Sequence, residues 1–106
     1  MPDEWEEARE AARKASDPER LLPGESLDSP HLDDAEHWIA VYRELLAYKD
    51  RLLAVTGTTL SQLTEEQPAR REVVETDRAL IVAERKRFVR RLEFWQDRLA
   101  KLKLSD

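Results

Sequence analysis

The stretch PARREVVETDRALIVAERKRFVRRLEFWQDRLAKLKL, residues 68–104, decides the fold. Val74, Ile81, Phe88, Trp95 and Leu102 recur in it at an unbroken spacing of seven. Leu92 and Leu99 widen the stripe towards its C-terminal end at helical offsets of three and four. A repeat of this kind keeps one edge of a helix turned towards a partner helix, as in coiled coils and bundles. No Gly or Pro interrupts the run after Pro68. Thr64 and Gln67 have capping-box spacing, Glu65 and Glu66 suit the positive end, and Lys101 and Lys103 suit the negative end. At 1.5 Å per residue the helix is roughly 55 Å long.

Beside the apolar seam runs a charged column: Asp77, Glu84, Arg91 and Arg98, acid, acid, base, base. Two copies crossing antiparallel at Phe88 would set Asp77 against Arg98 and Glu84 against Arg91. The seam obeys the same two-fold symmetry, Val74 meeting Leu102 and Ile81 meeting Trp95. Val74, Ile81, Phe88, Leu92, Trp95, Leu99 and Leu102 are therefore candidate partner or dimer contacts. The competing reading places the four charges on a solvated flank, paired within their own helix.

Working outward, a second helix spans 33–56. Asp33 and Glu36 form a capping box, and Gly57 marks a stop. Its apolar residues, from Ala35 and Trp38 through Tyr42 and Leu45 to Leu52 and Val55, cover more than half the circumference. Such a helix is wedged between at least two neighbours. Lys49 lies inside this arc and wants an acid, and a fold-back through the loop brings Asp77 within about a turn of it. At about 35 Å against about 55 Å, the shorter helix would run out near Arg90, leaving Leu92, Phe94, Trp95, Leu99 and Leu102 to be covered by something else.

Residues 17–32 carry prolines, the Pro23-Gly24 turn signal and no periodicity, which reads as a connector. Leu21, Leu22 and Leu27 give it apolar side chains to lay on a neighbour. Residues 1–16 read as a short helix or tail, with Asp3 as cap and a thin apolar side of Trp5, Ala8, Ala12 and Ala15. The expected architecture is all-α: one domain over 1–106, a long antiparallel, coiled-coil-like helical hairpin (33–56, loop 57–66, helix 67–104) with a short N-terminal helix, dimerising into a helical bundle.

Composition narrows the function. Charged residues make up 39% of the chain, fitting long helices laced with salt bridges, and there is no Cys to supply disulfides, thiol chemistry or zinc ligands. The net charge of −5 is uneven: residues 1–36 hold 12 acids and 4 bases, and residues 67–106 hold 7 acids and 11 bases. Arg85, Lys86, Arg87, Arg90 and Arg91 form the densest basic cluster, a candidate contact for anions or nucleic-acid phosphates. They point around most of the helix, and no exposed aromatics interleave for base stacking. His31 and His37 have Asp33, Asp34 and Glu36 between them, but Asp33 is needed as a cap and no second cluster supplies further metal ligands.

No serine sits in a nucleophile elbow and no glycine-rich loop cradles phosphate, so no enzyme, metal or cofactor is expected. No apolar run is long enough to span a membrane, and a cytoplasmic setting is expected. The reading is a non-catalytic interaction or regulatory module. Its expected partner is a second copy as a homodimer, another protein, or both, with no membrane partner. A nucleic-acid-associated regulator is the alternative, and a small-ligand sensor with its pocket between helices a weaker one.

Overall fold

The computed structural model describes residues 4–105, and among them the chain forms three helices and no strand. They are α1 (Glu4–Ser16), α2 (Leu32–Gln62) and α3 (Pro68–Leu104). The expected Asp3 cap lies outside the described residues. α2 and α3 pack against each other as an antiparallel hairpin, and α1 touches α3 but not α2. The register is marked by two cross-helix ion pairs: Lys49 Nζ to Glu84 at 3.0 Å, and Arg85 Nε to Asp50 at 2.7 Å. No helix among the described residues is long and apolar enough to cross a membrane.

α3 begins and ends close to where its sequence predicts, except that Glu65 and Glu66 precede it and its first turn holds no acid. Pro68 sits in the first turn, where its missing N–H costs nothing, and Lys101 and Lys103 load the last. The box at its start is half made: the Gln67 side chain accepts from the Thr64 N–H at 3.2 Å, but helix dihedrals begin only after Gln67.

α2 departs from expectation at both ends. His31 rather than Asp33 holds the N-cap position, and its side chain makes no capping bond. Downstream the helix runs straight through Gly57 to Gln62, six residues past the expected stop at Thr56. A single interior glycine costs only about 1 kcal/mol. Here the next two threonines return their hydroxyls to the carbonyls of Ala54 and Val55, both at 3.0 Å. Arg71 of α3 donates to the carbonyls of Leu60 (3.4 Å) and Leu63 (3.3 Å), closing the new end.

Moving the turn to residues 63–67 slides the register. Lys49 meets Glu84, two helical turns beyond Asp77, and Asp77 is exposed. The later stop also lengthens α2 to 31 residues, or about 46 Å, so the length mismatch with the 37 residues of α3 shrinks to about 1.7 turns. A Cβ added at Gly57 would meet nothing within 4 Å. Gly57→Ala is therefore expected to stabilise the fold by about 1 kcal/mol and raise the melting midpoint by roughly 4–8 °C. A midpoint that falls in thermal circular dichroism would contradict an uninterrupted helix at this position.

The core lies at one end of the hairpin. Ala35, Trp38, Ile39 and Tyr42 of α2 and Phe88 and Trp95 of α3 are buried there. Leu22 and Leu27 of the connector, together with Leu99 and Leu102, pack onto them. The connector thus lies on the hairpin as a strap, covering the aromatic end from within the same chain.

Candidate functional site

The strap is placed by a tight turn. Leu22-Pro23-Gly24-Glu25 closes with Glu25 N–H donating to Leu22 O at 3.0 Å, Pro23 pre-setting the first bend and Gly24 at φ +82° supplying the second. This type II geometry throws the Glu25 side chain back under the turn. Glu25 is only 7% exposed, and its carboxylate accepts three hydrogen bonds. Oε1 takes the Leu22 N–H at 2.9 Å and the Tyr42 hydroxyl at 2.6 Å; Oε2 takes the Trp95 indole N–H at 2.8 Å. One side chain therefore ties the strap to itself, to α2 and to α3. A buried carboxylate costs several kcal/mol unless it is hydrogen-bonded, and here its bonds include two from the largest fully buried rings.

Burial first, and then the hydrogen bond to Glu25, push the Tyr42 phenol well above the ordinary tyrosine range. The sign of the linkage follows. The folded chain keeps a proton that the unfolded chain releases near pH 10, so this contribution is whole below about pH 10 and is lost as pH rises beyond it. Urea midpoints are expected to fall as the pH rises above about 10, and Tyr42→Phe should show a shallower fall. Equal slopes for the two proteins would count against the burial of this hydroxyl.

Along the same flank, arginines of α3 hold backbone carbonyls. Arg87 Nη1 donates to Lys14 O (3.1 Å) and Ala15 O (3.0 Å), satisfying the C-terminal end of α1. Arg91 reaches Glu19 O at a long 3.5 Å, and Arg98 reaches Asp28 O (3.4 Å) and Ser29 O (3.1 Å). Burial and the neighbouring Arg20 lower the Arg87 pKa from its ordinary value, while Glu84 and Asp17 oppose the shift. The basic cluster is thus divided. Arg87 and Arg91 clamp the strap and α1, Arg85 pairs with Asp50, and Lys86 and Arg90 are exposed.

The charged column has intrachain uses as well. Glu84 pairs with Lys49, and Arg91 and Arg98 face the strap. Of the seam, Phe88 and Trp95 are enclosed by this chain's own residues; Val74, Ile81, Leu92, Leu99 and Leu102 are half-buried. No group of three His, Asp or Glu side chains placed to hold a metal ion occurs among the described residues.

What the strap leaves uncovered is the loop half of the hairpin. Val41, Leu45, Tyr48, Leu52 and Val55 form one row on α2 at offsets of three and four. Val41 and Leu45 pack onto the core. Tyr48 (52% exposed), Leu52 (44%) and Val55 (62%) do not. On α3, Leu80 and Val73 continue the Arg87 flank at spacings of seven, and Val73 is 60% exposed. Arg51 stacks over the Tyr48 ring, 4.6 Å from its centroid. The apolar arc of α2 asks for two neighbours, and the second ends at Leu45.

No protein-family model, curated protein or solved structure matches the chain.

The sequence marks this row, since the breadth of α2's arc contains it. Nothing in the sequence marks Glu25, one of several acids in a connector, because its partners lie 17 and 70 residues away.

Proposed function

We propose that the protein is a non-catalytic interaction module whose working surface is the loop half of the hairpin. One observation carries this: a row of large apolar side chains, Tyr48, Leu52 and Val55, stands in water where the helix that bears it is built for a second neighbour. The covered half supplies rigidity. Glu25 and the arginine clamps fix α2 and α3 at one end, so the other end presents a preformed surface and loses little entropy on binding.

The polar groups at the covered end support the same reading. Each oxygen of the Glu25 carboxylate already accepts a hydrogen bond, so it serves as a clasp rather than as a poised base. The surface is suited to a partner helix with an apolar face.

Leu52→Glu tests the proposal. It sets a charge in the middle of the row while leaving the buried core untouched. Melting should move by no more than about 0.5 kcal/mol equivalent, because the site is solvent-facing. Proteins retained by the immobilised wild-type chain should be lost with the variant. An unchanged set of retained proteins would remove the loop half as the working surface.

A further inference from the structure

We infer that the surface is occupied by α1 of a second copy, each chain laying its N-terminal helix on the other's Tyr48–Val55 row; this rests on the interaction reading above. α1 is an arm that packs on α3 alone, with Ala12 and Ala15 half-buried, while its residues 4–11 are exposed. Trp5 is 75% exposed, and Ala8 on the same helical side is also exposed. The helix is held through its last turn, where Arg87, itself 5% exposed, grips the Lys14 and Ala15 carbonyls. That grip sits on α3, and the arm makes no contact with α2, which bears the row. Trp5 stands about 14 Å along the helix from the grip, and it and the row are both exposed, so in this pose it does not cover its own chain's row. A helix of 13 residues with one large side chain is marginal on its own and gains stability only by docking.

Area and charge both fit a second copy. Trp5, Tyr48, Leu52, Val55 and Val73 together expose on the order of 500 Å² of apolar side chain per chain. Burying them once is small for a specific contact. A reciprocal exchange doubles the figure to roughly 1,000 Å², the lower edge of stable interfaces. The charges match as well: the acidic first turn that carries Trp5, with Glu4 and Glu7, would meet the Arg51 guanidinium at the rim of the row. Because each copy offers one arm and one row, two contacts close under a two-fold axis without leaving either unmatched.

The test is solution mass against concentration, by light scattering, for wild type, Trp5→Ala and Leu52→Glu. The wild-type chain is expected to shift from monomer to dimer at about micromolar concentrations, the weak range for an interface at the lower size limit with few anchor side chains. Each variant should weaken the dimer about tenfold or more with melting of the monomer unmoved. A mixture of the two variants retains one intact contact, Leu52→Glu supplying the arm and Trp5→Ala the row. It should dimerise more tightly than either variant alone.

A dimer weakened by Leu52→Glu but indifferent to Trp5→Ala would overturn the arm as occupant while leaving the row as an interface. A dimer indifferent to both would overturn the arm and the row together. A wild-type chain that stays monomeric at about 100 µM, well above the expected micromolar range, would overturn self-exchange. The row would then be left to a different protein, as read by the retention experiment.

Discussion

Trp95→Ala is expected to cost the fold about 4 kcal/mol or more and to lower the melting midpoint by roughly 20 °C. The ring is wholly buried, between α2, the strap and its own helix, so truncation leaves a cavity in the only part of the hairpin with fully enclosed side chains. It also removes the indole N–H from Glu25 Oε2, leaving a buried carboxylate one donor short, a further loss of about 1–3 kcal/mol if water does not replace it. Against a total of about 5–15 kcal/mol for a domain of this size, the variant stands near the edge of folding.

Trp95→Phe separates the two effects. It keeps most of the ring volume and loses the N–H, so it should lose only about 1–3 kcal/mol. Trp5→Ala serves as the opposite control, because a ring already in water contributes little to the monomer. If Trp95→Ala melted within a few degrees of wild type, the enclosure of that ring by the strap would be refuted.

Glu25 carries the second large effect. Glu25→Ala strands the Tyr42 hydroxyl, the Trp95 indole and the Leu22 N–H together, and a loss of about 3 kcal/mol is expected. Glu25→Gln is more informative. Oε1 accepts two bonds and Oε2 one, so the amide will place its oxygen at the Oε1 position and turn its NH2 towards the Trp95 N–H. Donor then faces donor, at an expected cost of about 2 kcal/mol.

Combining Glu25→Gln with Trp95→Phe removes the conflict. The double variant should therefore lose less than the sum of the singles, by about 1 kcal/mol. Strict additivity in denaturant midpoints would show that the two side chains are not coupled.

The hairpin itself was legible. Pro68, an uninterrupted heptad row and C-terminal lysines specify α3 almost residue for residue, because every one of those signals is local. α2's end was not. Gly57 carries the usual stop signal, and what overrides it is Arg71 closing the helix end from another helix, a partner no local signal reveals. That one shift displaced the register and with it the partner of Lys49. It also removed the argument for an uncovered aromatic end.

The basic cluster was legible as charge but not as chemistry. A guanidinium that caps a carbonyl and one that waits for a phosphate have the same letter. The carbonyls held by Arg87, Arg91 and Arg98 belong to residues about seventy positions earlier. The bare surface could be located only once the strap's extent was known, since the same row of α2 is packed up to Leu45 and wet from Tyr48 onward.

The 70 residues between Glu25 and Trp95 also set an order of events. Joining them closes a far longer loop than the short turn between α2 and α3, so the helix pair zips first and the N-terminal third clips on afterwards. On a translating ribosome, at about 5–20 residues per second, Glu25 is made several seconds before Trp95 exists. Its leucines and its carboxylate must stay in water for that interval. The last contact formed is also the first to fray, so amide exchange in the segment around Glu25 should outpace exchange in the middle of α2 and α3.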